Sequence, residues 1–413
     1  MSAPRRPAPP PALLIAVICV VEVLSMSAFS TFPALLPTFQ HEWGLANTAA
    51  GWISGIYFAG YVGAAAVLTA LTDRIDAKRV YLGSMALSVV GAAGFGWAAS
   101  GVWSASLWRL IQGVGLAGTY MPGLKVLSDV LPARIQSRGT ALYTSSFSVG
   151  ASVSYFLAGA LDPAFGWHIT FALCALGPLA GLILGALVLP ASPPLGERPS
   201  HHLLDFRPVI ANRRALGFTL AYAVHAAELF AFRAWVVAYL VFSQGLQPAG
   251  TLGLLWSAAT IAALVNLLAM TPASLLINEV ATRIGRQPVI IAAMTLSAII
   301  ATLFGFSSSL PFALVVGLAF AHGLTINADS ATLTAGLVRV AEARHKGATM
   351  AMHSVIGFSG AFLGPLIFGV VLDLAGGTGS GLAWGLAFAT LGLLPMLGPL
   401  AIARFVGLRE RVY

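Results

Sequence analysis

Residues 73–79 read Asp73-Arg74-Ile75-Asp76-Ala77-Lys78-Arg79, a basic link between apolar runs near 48–70 and 80–100. A similar link, Thr282-Arg283-Ile284-Gly285-Arg286, returns about 209 positions later, between apolar runs near 251–274 and 288–306. Arg138-Gly139 likewise returns as Lys346-Gly347, at an offset of 208. Two matching offsets at matching places in the alternation favour a duplicated chain over chance similarity of short basic loops. The polar stretch Ala191 to Arg213, rich in Pro, His and Arg, sits where two halves would be joined. It divides the sequence into 1–190, a connector at 191–213, and 214–413.

Working outward from these links, apolar segments lie near 12–34, 48–70, 80–100, 106–127, 139–160, 168–190, 214–242, 251–274, 288–306, 311–334, 348–372 and 381–403. Each suits the roughly 20 residues that cross a hydrocarbon core as a helix. A membrane barrel would instead show alternating segments of about 10 residues. Composition agrees: the 413 residues are 58% hydrophobic and 9% charged, where soluble domains carry roughly 25% charge. A soluble enzyme would lack the polar groups to cover its surface. The sequence therefore predicts an all-α polytopic membrane protein with twelve transmembrane helices in two six-helix bundles. Arg5 and Arg6 precede the first segment as in a signal peptide, but Glu22 interrupts it and no small-residue cleavage site follows, so it reads as a retained span. Cys19 and Cys174 both fall inside apolar runs, which indicates neither a disulfide framework nor a thiolate metal site.

The basic residues check the helix count. With the amino terminus inside, inside segments hold Arg5 and Arg6; Arg74, Lys78 and Arg79; Lys125, Arg134 and Arg138; Arg198, Arg207, Arg213 and Arg214; Arg283 and Arg286; Arg339, Arg344 and Lys346; and Arg404, Arg409 and Arg411. These are 20 of the 22 Lys and Arg residues, and the outside loops carry only sparse acids such as Glu42 and Asp162. This one-sided distribution is what the positive-inside rule predicts, with both termini cytoplasmic. The net charge of +8 thus reports topology and implies no nucleic-acid partner.

Arg109 and Arg233 are the two exceptions, placed within the fourth and seventh segments. Arg109 opens the run Arg109-Leu110-Ile111-Gln112-Gly113-Val114-Gly115. Together with the link at Leu71, Asp73, Arg74, Lys78 and Arg79, this run resembles the signatures of the major facilitator superfamily. The match departs from the family pattern at Thr69, Asp76 and Ala77, where two glycines and an arginine are expected. Gly150 and Gly159 stand in the fifth helix without the Gly-Pro pair associated with drug/proton antiporters. The resemblance implies a bacterial secondary transporter of the cytoplasmic (inner) membrane, with helices one, four, seven and ten around a central cavity. It also implies that Asp73 caps or bridges helix ends at a cytoplasmic gate formed with Arg74, Lys78 and Arg79; a solvated loop that only fixes topology is the alternative.

The intramembrane charges Glu22, Arg109, Glu228, Arg233 and Asp329 fall on those same four helices. Such groups are costly against lipid and tolerable in a watered cavity or beside an opposite charge. Arg109 stays protonated, so it suits an anionic substrate or a carboxylate whose proton load changes, with Glu22 as the expected acidic partner. A static buried pair orienting two helices is the equal alternative. His225 and Glu228 are three apart and can share a helix face, as a proton relay or a structural network. Arg233 would add a second positive contact beside Arg109 for a small organic or inorganic anion, unless the acids neutralise both. The tenth segment carries a polar patch of His322, Asn327, Asp329 and Ser330, whereas His353 reads as packing. Tyr57, Tyr61, Tyr120, Tyr155, Trp235 and Trp256 could shape the cavity, though each alone is as readily interface or packing. Gly113, Gly115 and Gly118, and Gly357, Gly360, Gly364 and Pro365, would let helices approach closely.

No Gly-x-x-x-x-Gly-Lys-[Ser/Thr] loop occurs to support an ATP-driven pump, and no His-Glu-x-x-His or nucleophile motif supports an enzyme. No selectivity-filter repeat favours a channel. The expectation is therefore secondary transport of a small solute by alternating access, proton-coupled and operating as a monomer in lipid, without cofactor or metal. The alternative is a proton-driven drug or metabolite efflux antiporter.

Overall fold

A computed structural model describes residues 10–193, 207–248, 256–342 and 345–407, and these are helical with no strand among them. Arg5, Arg6, Arg198, Arg344, Arg409, Arg411, the side chain of Lys346 and most of the 191–213 connector lie outside the described residues. The first part of the chain folds as α1 (Pro11–Ser25), α2 (Thr31–Ala34), α3 (Leu36–Trp43), α4 (Asn47–Leu71), α5 (Ala77–Ala98), α6 (Val102–Val130) and α7 (Ala133–Val188). The second part has α8 (Arg207–Ala211), α9 (Arg213–Gly245), α10 (Ala258–Leu264), α11 (Thr271–Ile284), α12 (Arg286–Gly305), α13 (Phe312–Ile326), α14 (Ser330–Val340), α15 (Lys346–Leu374), α16 (Gly381–Leu393) and α17 (Leu397–Ala401). A π-helical turn, Val265–Met270, joins α10 to α11.

Nine helical stretches among the described residues are long and apolar enough to cross a membrane. One of them is α7, whose 56 residues divide into two limbs at Gly166 (φ 73°, ψ 164°), a region of backbone space entered readily only by glycine. The first span differs from expectation. A single helix over 12–34 is predicted, yet α1 stops at Ser25 and the chain turns through Met26–Ser30 before α2. Ser25 Oγ donates to Glu22 O and Ser27 Oγ to Cys174 O, so hydroxyls that compete for backbone carbonyls are concentrated where the helix gives way.

The links at 72–76 and 131–132 meet at one end of the molecule, the basic end, where Ser192 Oγ donates to Asp129 Oδ2 at 2.6 Å. Asp76 caps α5 there, accepting from Lys78 N at 2.8 Å, and also accepts from Ser192 N at 3.0 Å. Asn212 caps α9 and donates to Val340 O at 2.9 Å. At the opposite, far end the two parts of the chain are tied together. Asp373, near the end of α15, accepts at Oδ1 from Asn47 N and Nδ2 (3.1 and 2.8 Å) and at Oδ2 from Thr48 N and Oγ1 (2.7 and 2.6 Å). A carboxylate at the start of α4 also meets the positive end of that helix's dipole.

Close approach of backbones replaces hydrophobic squeezing as the packing force inside lipid. All six predicted glycine approaches appear; a Cβ on Gly113 would collide with Tyr57 O of α4, and Cβ atoms on Gly360 and Gly364 with Ala223 O and Ala227 O of α9. Gly113→Val is expected to destabilise the protein by about 1–3 kcal/mol through overpacking, read as a lowered thermal midpoint in detergent; an unchanged midpoint would show that α4 and α6 can separate freely.

Candidate functional site

A narrow cavity of about 20 Å3 lies between the two parts of the chain. Phe29, Ser30, Pro33, Ser54, Phe58, Arg109 and Tyr155 line it from one side, and Phe230, Arg233, Ala234 and Pro365 from the other. The two arginines singled out by topology thus meet at one site. No Asp or Glu is among the described lining residues.

Arg109, 2% exposed, is held by α6 with Nη1 donating to Phe29 O at 3.1 Å and to Gln112 Oε1 at 3.0 Å. The Phe29 carbonyl is free to accept because the residue four positions on, Pro33, has no N–H to give it. Gln112 is oriented in turn by Gly91 O, 3.0 Å from its Nε2. The Tyr57 ring centroid lies 4.3 Å from the guanidinium carbon, a cation–π contact. Arg109 Nε has no partner among the described residues. The expected ion pair with Glu22 is not formed. Glu22 Oε2 instead accepts from Tyr143 Oη at 3.1 Å, and Oε1 has no partner among the described residues. Arg109 is turned toward the Phe29 carbonyl and the cavity, and Tyr143 occupies the acid.

Arg233 is presented by α9, with Nε donating to Asn266 Oδ1 at 2.9 Å. Its guanidinium carbon lies 5.4 Å from the Phe230 ring centroid. Asn266 belongs to the π-helical turn, whose wider helical ring re-aims one side chain, a form frequent at functional sites. Tyr155 Oη donates to Arg233 O, fixing α7 to α9 across the cavity. Asn266 is absent from the sequence expectation. A lone amide in the apolar run 258–270 was the available signal; the π turn that directs it has none.

His225 and Glu228 share α9, as the spacing predicts, but do not pair with each other. His225 Nδ1 lies 2.8 Å from Asp329 Oδ1, and His322 Nε2 lies 3.3 Å from Glu228 Oε1, which also accepts from Ser297 Oγ at 2.6 Å. All four titratable groups are 2% exposed or less. Asp329 stands in the interruption between α13 and α14, where Asn327 Nδ2 donates to Met270 O at 2.6 Å. The broken tenth span therefore touches the π turn that holds Asn266. His353 packs its ring against Tyr222 at 4.1 Å.

The gate residues divide. Asp76, not Asp73, makes the helix cap, since it is the residue immediately before α5. Lys78 Nζ donates to Ala186 O at 2.9 Å and Leu189 O at 2.5 Å, inside the first part of the chain. Asp73 makes no side-chain bond among the described residues, and Arg74 and Arg79 are exposed. Of the aromatic candidates, Tyr155 lines the cavity and Tyr57 covers Arg109. Trp235 abuts the lining through Nε1 to Pro365 O at 3.1 Å, and Tyr61 packs on Phe358 at 4.2 Å. Tyr120 stands behind them against Phe147 at 5.5 Å. Trp256 is 53% exposed before α10 and is no part of the site, because its helix begins after it.

With this geometry in view, the family model described as Major Facilitator Superfamily matches residues 18–270, more than half of the chain. The chain belongs to the Major Facilitator Superfamily. It is a polytopic membrane homologue of secondary transporters and not an enzyme. Two proteins of Acinetobacter baylyi are each 30% identical to it: the niacin transporter NiaP over 33% of this chain and 31% of that one, and the 4-hydroxybenzoate transporter PcaK over 43% and 39%. Those matches span well under half of either relative's own length. A gallate transporter of Pseudomonas putida is 28% identical over 94% of this chain and 90% of its own. In fold, the chain is similar to a variant of the nucleoside transporter NupG (TM-score 0.77, 16% identity, 96% of this chain and 100% of that one). It is also similar to a bacterial homologue of human Spinster in an inward-facing conformation (TM-score 0.74, 14% identity, 98% and 99%).

Proposed function

We propose that this member of the superfamily carries a small aromatic carboxylate across the bacterial cytoplasmic membrane by alternating access, coupled to protons. The observation that carries the reading is the pair of buried guanidinium groups, one from each part of the chain, facing one cavity whose described lining holds no acid. A carboxylate matches the planar fork of arginine, and the rings of Phe29, Phe58, Phe230 and Tyr155 suit a flat apolar body. The niacin, 4-hydroxybenzoate and gallate transporters among the relatives support the same solute class. In this reading the protein has twelve crossings: the nine apolar stretches, the second limb of α7, α6, and α1 to α3 together. They form bundles over 1–190 and 214–413 joined by the 191–213 connector, with the basic end and both termini cytoplasmic, and a monomer is the working unit.

Coupling is assigned to the buried acids. Tyr143 offers one hydroxyl proton but lies within 3.1 Å of Glu22 Oε2, Thr119 O and Tyr120 O. A proton on Glu22 would let the acid donate to Tyr143 while Tyr143 donates to a carbonyl. The His225–Asp329 and His322–Glu228 contacts lie at the broken tenth span, so a change of proton load there would bear directly on its geometry. The test is flux of benzoate and 4-hydroxybenzoate into proteoliposomes, driven separately by a pH gradient and a sodium gradient. Uptake driven by the pH gradient is expected; movement of hydrophobic cations with no movement of either acid would overturn the reading.

The Asp373 contacts close the far end and support an inward-facing assignment. Asp373→Ala removes four hydrogen bonds between α15 and α4. It should shift the population toward the opposite conformation, raising thiol labelling of a cysteine placed at Ser54 from the far side several-fold; unchanged labelling would deny the latch.

A further inference from the structure

Ser54 is 3% exposed and lines the cavity, yet its hydroxyl has no hydrogen-bond partner among the described residues. Serine in a helix normally returns its proton to the carbonyl four residues back, which keeps a buried hydroxyl satisfied. Other helical serines of this chain do so: Ser88 to Ser84 O, Ser106 to Val102 O, Ser152 to Ser148 O and Ser359 to Val355 O. Leaving a buried hydroxyl unpaired costs about 1–3 kcal/mol, a cost that a ligand group can remove. Arg109 Nε and Ser30 Oγ are also unpartnered among the described residues of the same cavity, whose lining includes Phe29, Phe58, Tyr155 and Phe230.

We propose that Ser54 is a specificity-determining residue, whose hydroxyl hydrogen-bonds a polar substituent on the ring of a carboxylate anchored by Arg109 and Arg233. The site would then favour aromatic acids bearing a ring hydroxyl over the unsubstituted acid. A hydroxyl can both donate and accept, so Ser54 serves a phenol in either sense, whereas a bare C–H edge would leave it unsatisfied. This inference rests on the carboxylate reading of the cavity, and the experiment separates the two.

Binding of benzoate, 3-hydroxybenzoate and 4-hydroxybenzoate to the full-length protein is measured by titration calorimetry in detergent. The better hydroxybenzoate should bind about fivefold tighter than benzoate, the effect of one net hydrogen bond. In Ser54→Ala that preference should fall to about one, the same hydrogen bond being lost. Ser359→Ala, which removes a hydroxyl already satisfied by its own helix, should keep the preference. Equal preference in wild type and Ser54→Ala, with both acids bound, would overturn the role of Ser54 and leave the carboxylate site standing. No binding of any of the three acids to the wild-type protein would overturn the carboxylate reading itself, and this inference with it.

Discussion

Replacing Arg109 by glutamine should abolish transport of an aromatic acid and weaken its binding by about 2–4 kcal/mol, roughly 30- to 1,000-fold, the range for losing a desolvated charge from a buried charged hydrogen bond. Glutamine is two bonds shorter and uncharged but keeps an amide donor, so a change confined to packing would lower stability and spare affinity. The decisive comparison is Arg109→Lys. Lysine keeps the charge and loses the fork, so affinity should fall between those of wild type and Arg109→Gln, while Arg233→Gln weakens binding with Arg109 still in place. Near-normal flux in Arg109→Gln would reduce this residue to a structural bond between α6 and the turn before α2.

Glu228→Gln has the second large effect. The neutral amide fits the space beside Ser297 and His322 but carries no exchangeable acid proton, so the gradient loses its point of action. Accumulation driven by a pH gradient should collapse to equilibration, while exchange of labelled for unlabelled solute across the membrane persists. Loss of both activities would assign Glu228 to folding or binding instead of coupling, and full accumulation would remove it from the proton path.

The helical character and the meeting of Arg109 with Arg233 at one cavity were legible because they follow from the cost of charge in hydrocarbon. Long-range pairing was not. Nothing in the spacing says that Glu22 bonds Tyr143, 121 residues away, or that His225 selects Asp329 and leaves Glu228 to His322. Those choices depend on how helices are rotated about their axes, which a nearly all-apolar surface does not reveal. The broken first span was hidden for a related reason: a run over 12–34 is apolar whether or not its helix stops at Ser25. Trp256 was misplaced by a boundary, since α10 starts two residues after it.

The wide turn at Val265–Met270 amounts to one surplus residue inserted into an otherwise regular rod. Each residue of a regular helix turns the next by about 100°. Excising a single amino acid there would let the helix run regularly from α10 into α11 with Thr271 to Ile284 kept in phase, and would take away the bulge that aims Asn266 at the Arg233 guanidinium, so gain or loss of one codon would build or dismantle that contact.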